Sequence, residues 1–200
     1  LGCNRGIFRF QKSELEALAD RKTTFVHSRV YGTTDGMPAD ECASGFSPAG
    51  LKMKSGQLCF STIKGLVVID PHQQEIDTQP PLVLLEEVMV DRQSQRIRPQ
   101  AESTDDSDKP PFAITIAPGP REVDFYYTGL NFAAPEKVQF RFRLDGWDRD
   151  WVEAGDRRVA YYQRLPPGNY VFRVLAANAD GVWSEPGAAL AVTVQPYLWQ

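Results

Sequence analysis

Apolar and polar residues alternate along much of the second half of the chain. From residue 138 to 144, the apolar residues Phe140, Phe142 and Leu144 are separated by single polar residues. The same period of two returns between residues 170 and 176. That period is typical of a strand with one buried face and one face in water. We therefore expect a strand in each segment.

Two turn-forming segments lie between these strands. Asp145-Gly146-Trp147-Asp148 ends the first strand, and Leu165-Pro166-Pro167-Gly168-Asn169 leads into the second. Proline and glycine at such positions disfavour both a helix and a central strand. Tyr170 follows the corner directly, as does the tyrosine of the tyrosine corner in Ig-like sandwiches, whose hydroxyl bonds to upstream backbone. The pattern predicts an antiparallel β-sandwich.

Further strands extend this sandwich over residues 82–197. The first is predicted at 82–90, and shorter alternating runs predict strands at 112–116, 123–127 and 189–194. The acidic segment 100–111 is predicted to be a solvated hairpin tip or a disordered loop. The fold class predicted from these runs is all-β.

Residues 1–75 show a weaker repeat of short strands and turns. Segment 4–10 aligns with segment 63–69, and each places a glycine before an apolar strand. A short helix is predicted near residues 13–20, from the spacing of Leu15, Leu18 and Ala19. Repeated hairpins of this kind indicate a radial β repeat. Because so few residues cannot close a ring, we expect the other blades upstream of Leu1.

Composition contributes mainly by exclusion. The net charge of −4 disfavours a nucleic-acid-binding protein, since such domains are usually basic. No run approaches the ~18 to 20 apolar residues needed to cross a bilayer. The chain has no signal peptide and starts at Leu1 rather than Met, so we expect a piece of a longer protein.

Three cysteines, Cys3, Cys42 and Cys59, leave an odd count without CxxC spacing. This excludes zinc-ribbon and thioredoxin-type sites. Two interpretations remain: a disulfide between Cys42 and Cys59, or buried free thiols, which agree with the general burial of cysteine.

No catalytic, cofactor or metal set is assembled along the sequence. The two histidines, His27 and His72, are far apart and have no HExxH spacing. Segment 45–50 is one residue too long for a Gly-x-Ser-x-Gly elbow, and Pro48 lacks the N–H that such an elbow uses. The acidic segments 105–108 and 148–153 lack the glycine and final glutamate of a calcium loop. We expect a fragment without catalytic activity, cofactor or metal.

The second half carries several motifs that belong together. They are Phe142-Arg143-Leu144-Asp145-Gly146-Trp147-Asp148, Trp151, Tyr162, Leu165-Pro166-Pro167-Gly168-Asn169-Tyr170, Ala176-Ala177-Asn178 and Gly181-Val182-Trp183. This set resembles the three-tyrosine (Y_Y_Y) domain, a fibronectin-III-like or Ig-like sandwich of bacterial membrane-bound sensors. The structural signature is Trp147, Trp151, Gly168, Tyr170 and Trp183. Phe140 departs from the family, which has a tyrosine at that position.

Motifs in the first half also belong together: Gly56-Gln57-Leu58-Cys59-Phe60-Ser61-Thr62, the strand that ends at Asp70-Pro71, and Asp35-Gly36-Met37-Pro38. They resemble the repeats and the blade link of two-component regulator propellers, with Cys59 in place of the usual tryptophan. The resemblance implies that residues 1–75 are the last one to two blades of an incomplete ring. Residues 76–81 would be a linker, and 198–200 the start of a juxtamembrane segment.

These resemblances imply the periplasmic part of an inner-membrane signalling protein. The propeller, completed by upstream blades, would sense a small molecule or a glycan. The sandwich would pass that state to a downstream transmembrane helix, and the output domain would be a histidine kinase or a diguanylate cyclase. Coupling is expected through a homodimer, because two sandwiches side by side convert a shift into a change of spacing.

Adjacent tyrosines provide the candidate interface, Tyr126-Tyr127 and Tyr161-Tyr162. Each pair on a strand must direct one ring inward and one outward, and outward tyrosines suit protein interfaces. A different interpretation is a carbohydrate-binding module or an accessory domain of a secreted glycan-processing protein, with Trp147, Trp151 or Trp183 as sugar platforms. A third is a structural spacer.

Overall fold

The computed structural model describes residues 1–24, 26, 28–43, 49–73, 77–99, 110–119, 121–132 and 134–197. The chain forms two compact units, Leu1–Thr78 with Ala179–Gly181, and Gln79–Asn178 with Val182–Gln200. Several sequence predictions fall outside the described residues: His27, most of the discounted elbow at 44–48, the acidic loop 100–109 and the chain end 198–200.

The first unit contains two three-stranded antiparallel sheets and one short helix. Its elements are β1 (Gly2–Cys3), β2 (Gly6–Phe10), α1 (Lys12–Ala19), β3 (Ser28–Tyr31), β4 (Gly50–Lys52), β5 (Leu58–Thr62) and β6 (Gly65–Ile69). The sheets have the orders β1-β2-β3 and β4-β5-β6. The helix lies within one residue of its predicted position, but none of its residues is buried.

The repeat predicted in this unit is visible as two matching hairpins. Cys3 pairs with Gly6 at the β1–β2 turn, and Thr62 pairs with Gly65 at the β5–β6 turn. Both glycines have a positive φ, 124° and 142°, which L side chains adopt only at a steric cost. The shared glycine therefore marks the same two-residue turn at both places.

The small core of the first unit decides between the two cysteine interpretations. Ile7, Met37 and Cys42 form the buried cluster, and all three cysteines are free. Cys42 lies opposite Thr62 in a β-bridge, so Cys59, three residues away along β5, is about 10 Å distant. A disulfide needs Cα atoms within about 7 Å. The pairing of Cys42 with Cys59 was wrong, and both are buried thiols.

The second unit is a two-sheet sandwich. Its strands are β7 (Leu82–Val90), β8 (Gln93–Gln95), β9 (Arg98–Pro99), β10 (Phe112–Ile116), β11 (Glu122–Leu130), β12 (Gln139–Asp145), β13 (Val152–Gly155), β14 (Val159–Gln163), β15 (Gly168–Ala177) and β16 (Ala188–Val194). One sheet has the order β13-β12-β15-β16-β10-β9, and the other β14-β11-β7-β8. Neighbours are antiparallel except β10 and β16, which are parallel.

Aromatic rings from both sheets fill the space between them. The buried aromatic residues are Phe125, Tyr127, Phe140, Phe142, Tyr162, Tyr170 and Phe172. Phe125 of the four-stranded sheet and Phe172 of the six-stranded sheet stack at 4.1 Å between ring centroids and 7° between planes. Such contacts stabilise a core beyond the area that they bury. The predicted all-β class and the sandwich are confirmed, and β7, β10 and β16 lie where the sequence predicted strands.

No helix among the described residues is long and apolar enough to cross a membrane. The two units agree with the predicted order of a propeller fragment and a sandwich. The domain boundaries at 75, 81 and 197, and the membership of the first unit in a ring, stay predictions.

Gly187, just before β16, should be one of the least replaceable positions of the sandwich. Its φ is 75°, and an added Cβ would lie 2.3 Å from a Leu175 methyl and 2.4 Å from the Val174 carbonyl oxygen. Gly155 also has a positive φ of 62°, but nothing lies within 4 Å of its Cβ position. We expect Gly187→Ala to lower the free energy of unfolding by about 2 to 5 kcal/mol, and Gly155→Ala by about 1 to 2 kcal/mol. Urea denaturation measures both, and equal losses would contradict the steric argument.

Candidate interaction surfaces

Tyr170 forms the tyrosine corner that the sequence predicted. Its ring is buried, and its hydroxyl donates to the Pro166 carbonyl oxygen at 2.9 Å. The bond ties the entry of β15 to the Pro166-Pro167-Gly168 corner before it. Tyr170 and Gly168 therefore stabilise the fold.

Tyr162 is held by the turn that follows β12. Its hydroxyl donates to Asp148 Oδ2 at 2.5 Å, and the same oxygen accepts the Leu144 N–H at 2.7 Å. Burial, and then this hydrogen bond, raise the pKa of Tyr162 above its ordinary value. The Asp-Gly-Trp-Asp motif thus joins the two sheets, because Asp148 follows the six-stranded sheet and Tyr162 belongs to the other.

Tyr127 is the contrasting case. Its side chain is fully buried, and its hydroxyl forms no well-formed hydrogen bond with a described residue, only a weaker interaction with the Arg157 side chain. Burial raises the pKa of Tyr127 to about 12, although the Arg157 guanidinium acts in the opposite direction. The inward tyrosines thus differ: one has a charged acceptor, and the other has only the weak interaction with Arg157.

The predicted interface tyrosines separate as alternation requires, which narrows the interface hypothesis. Tyr127 and Tyr162 lie in the core, so their assignment as interface residues was wrong. Tyr126 is half-buried and Tyr161 is 56% exposed, both on the outer face of the four-stranded sheet. Only this outward pair can contact a partner.

Asp124, between these two tyrosines, is a residue that sequence reasoning missed. It lies opposite Tyr161 in the β11–β14 pairing and opposite Met89 in the β11–β7 pairing. Its side chain points to the outer face, yet the residue is only 9% exposed. Burial, and then the Glu122 carboxylate, raise the pKa of Asp124. Alternation placed Asp124 on a wet face, and only the register shows which side chains cover it.

One end of the same outer face is apolar. Leu130 pairs with Leu82 and Thr128 with Leu84, and all three leucines are exposed. Phe132, two residues beyond β11, is 99% exposed. We call Leu82, Leu84, Leu130 and Phe132 the apolar strip. Exposed apolar groups that cluster in this way are typical of contact surfaces.

The outer face of the six-stranded sheet is built from stacked cations and rings. The Arg141 guanidinium lies 4.3 Å from the centroid of the Trp183 ring and 5.2 Å from that of Trp151. Arg143 lies 5.1 Å from the Trp151 ring. Stacking of this kind contributes about 0.5 to 2 kcal/mol per contact. The signature tryptophans Trp151 and Trp183 thus pack on strand β12.

Ion pairs continue this stack along the face. Asp145 accepts the Arg143 Nε–H at 2.6 Å and the Arg173 Nε–H at 2.7 Å. The stack uses ring surface that a sugar would need, so the geometry does not favour Trp151 and Trp183 as sugar platforms. Trp147 is the most exposed of the three predicted platforms.

No described residues form a chemical centre. Within the described ranges, no group of three His, Cys, Asp or Glu side chains is arranged to hold a metal ion. His72 is exposed in the turn after β6, and its backbone N–H donates to Asp70. Asp148, in the acidic segment 148–153, accepts hydrogen bonds from the Tyr162 hydroxyl and the Leu144 N–H. An apolar cavity of about 660 Å³ opens at one end of the sandwich, beside Val83, Phe112 and Leu190.

Comparison with known proteins agrees with this architecture. Residues 131–195 match the Y_Y_Y domain. The resemblance predicted from the motifs is confirmed for this segment. It runs from just before β12 to the end of β16 and contains Asp148, Tyr162, Tyr170 and the Trp–Arg stack. Tyr126 and Asp124 lie outside the matched segment.

Two longer proteins resemble the chain. Histidine kinase P4 of Formosa agariphila is 28% identical over 181 residues, which are 86% of this chain and 12% of that kinase. The extracellular domain of the hybrid two-component system BT3049 of B. thetaiotaomicron has a similar fold, with a TM-score of 0.63 at 19% identity. That similarity covers 98% of this chain and 24% of the solved chain. The chain therefore spans only a small part of either protein.

The two inward tyrosines should respond differently to loss of their hydroxyl groups. Tyr162→Phe removes a bond to a carboxylate, so we expect the free energy of unfolding to fall by about 1.5 to 3 kcal/mol. Tyr127→Phe removes a hydroxyl whose interaction with Arg157 is weak, so we expect a change within about 1 kcal/mol or a gain in stability. Urea denaturation of both variants tests this, and a larger loss for Tyr127→Phe would refute it.

Stability should decrease in alkali for the same reason. The pKa of Tyr127 is about 12 in the folded chain and about 10 when unfolded. The folded state then binds more protons between these values, so the free energy of unfolding should fall by about 1.4 kcal/mol per pH unit above pH 10. Tyr162 acts with the same sign. Tyr127→Phe should make the decline shallower, and identical declines in both proteins would contradict the assignment.

Proposed function

We propose that this chain is an extracellular part of a two-component sensor, in which the sandwich relays a signal towards the membrane. The supporting observation is the combination of the Y_Y_Y match with the order of the two β units. The same fold over nearly the whole chain occurs in the extracellular domain of a hybrid two-component system. The cores and outer faces described above serve packing and contact, which suits a relay.

The location and output of the parent protein extend this proposal. The sandwich is periplasmic and is joined to the inner membrane by a helix downstream of the chain. A propeller completed by upstream blades senses a small molecule or a glycan. The relative named a histidine kinase favours a kinase output over a diguanylate cyclase. The parent reading frame tests this: a hydrophobic helix after Gln200 followed by a kinase domain is expected, and a secreted glycan-degrading domain would overturn it.

The relay works through a homodimer, and the apolar strip is the contact that we propose for it. The apolar strip is exposed in the single chain. Burying one leucine or phenylalanine side chain in a dimer contact would contribute about 1.5 to 3 kcal/mol to the free energy of association. The outward tyrosines are less favourable for a symmetric contact, because Glu87, Glu122 and Asp124 surround Tyr126 and would face their own copies. Two strips in contact avoid that repulsion.

Self-association of the 200-residue chain tests the dimer. We expect Leu84→Ser and Phe132→Ser each to weaken the dimer at least tenfold in sedimentation equilibrium, since tenfold corresponds to about 1.4 kcal/mol. Val68→Ser is the control for Leu84→Ser, because Val68 lies in the first unit and is 48% exposed, against 43% for Leu84. A chain that stays monomeric at the highest concentration would favour a structural spacer, and a greater effect of Tyr161→Ser would move the contact to the tyrosines.

A further inference from the structure

Asp124 lies at the centre of a small grid on the outer face of the four-stranded sheet. Along β11 its neighbours on this face are Glu122 and Tyr126. Across the sheet its neighbours are Tyr161 on β14 and Met89 on β7. In the next row, Tyr126 lies opposite Glu87. The Asp124 side chain therefore has two tyrosines, a methionine and a second acidic side chain as neighbours, and we call this group the Asp124 site.

The Asp124 carboxylate lacks the partners that a buried acid normally has. The residue is about nine-tenths buried, and no described residue donates a hydrogen bond to its Oδ1. A buried carboxylate without a donor is unfavourable, and native proteins seldom keep one without a reason. The neighbours increase the cost, because Glu122 is also acidic. The Asp124 Oδ1 atom is thus a buried acceptor without a donor among the described residues.

Two arginines near the Asp124 site have other partners. Arg121 pairs with Asp91 beside the top row of the grid. Arg158 donates to the Thr128 hydroxyl further along the face. The Glu122 carboxylate accepts a hydrogen bond from the neutral Gln163 amide. The Asp124 site is therefore acidic, and its Tyr161 side is exposed to solvent.

The groups of the Asp124 site match the chemistry of one kind of side chain. A guanidinium donates two parallel N–H groups to a carboxylate and stacks on aromatic rings, whereas an ammonium does the first less well. Tyr126 and Tyr161 provide such rings next to the carboxylate, one along β11 and one across on β14, and the thioether of Met89 lies on its other side. A second copy of this face would bring carboxylates against carboxylates. Charge complementarity thus favours a different, cationic surface.

We propose that the outer face of the four-stranded sheet binds a partner protein through an arginine side chain that stacks on Tyr126 and Tyr161 and donates to the Asp124 carboxylate. The site is separate from the apolar strip, and it does not depend on the relay or on the dimer. The partner is a protein surface, or a peptide segment, that presents an arginine among apolar or neutral neighbours.

A titration of the isotope-labelled 200-residue chain with the peptide Gly-Arg-Gly, followed by amide NMR, tests the site. We expect shifts at Tyr126, Asp124 and Tyr161 with Gly-Arg-Gly, and at least a fivefold weaker response with Gly-citrulline-Gly, the uncharged analogue of the same shape. Equal shifts with both peptides would overturn the proposal. So would the absence of shifts at these residues with the peptide at 100-fold excess.

Two variants with the same change of charge locate the interaction. Asp124→Asn should weaken peptide binding at least fivefold, whereas Asp156→Asn, in the exposed turn between β13 and β14, should leave it unchanged. Equal losses in both variants would mean general attraction to an acidic protein and would overturn the proposal.

Tyr161→Ser keeps the carboxylate and should weaken binding two- to fivefold, and no change there would exclude stacking. If Asp124 and Tyr161 shift on dilution of the chain alone, a second copy occupies the face and the proposal fails.

Discussion

The stack of Phe125 on Phe172 is the contact on which the rest of the sandwich depends. Each ring comes from the centre of a different sheet, and Tyr127, Phe142 and Tyr162 lie around the pair within 7 Å between centroids. Aromatic packing of this density fixes both the spacing of the sheets and the register of their strands, since a slip of one residue would turn every ring outward. That register also decides which side chains lie on the two outer faces.

The two outer faces respond to this constraint in opposite ways. On the six-stranded sheet, three arginines are matched by Asp145 and by two tryptophan rings, although the buried Arg141 Nε forms no hydrogen bond with a described residue. On the four-stranded sheet, the buried Asp124 Oδ1 has no donor among the described residues, and leucines lie open at the other end. Charge on the first face is therefore balanced by stacking and ion pairs within the chain. The second face keeps an acidic group and apolar side chains that are better suited to contacts with other molecules.

Much of the fold could be predicted from the sequence, because it depends on local pattern. Alternation predicted β10, β12 and β15, and the Pro-Pro-Gly corner with Tyr170 predicted the tyrosine corner, whose bond spans only four residues. The failures depend on contacts between distant segments. Nothing local shows that Arg141 packs between Trp151 and Trp183, or that Cys42 faces Thr62 rather than Cys59. From the sequence alone, Asp124 is predicted to lie on a solvent-exposed face. Only the β11 register shows that Tyr161 and Met89 lie beside it.

The tyrosines illustrate how one residue type takes several physical roles within one fold. Tyr170 uses its hydroxyl to close a local corner, and Tyr162 uses it to join the sheets through Asp148. Tyr127 contributes mainly its ring, because its hydroxyl has only a weak interaction with Arg157. Phe140, where the family has a tyrosine, also contributes a ring: it is fully buried, and its ring centroid lies 5.2 Å from that of Tyr127. The hydroxyls that face inward are therefore structural. Any recognition by tyrosine in this chain has to come from Tyr126 and Tyr161, whose surroundings are set by an unmatched carboxylate.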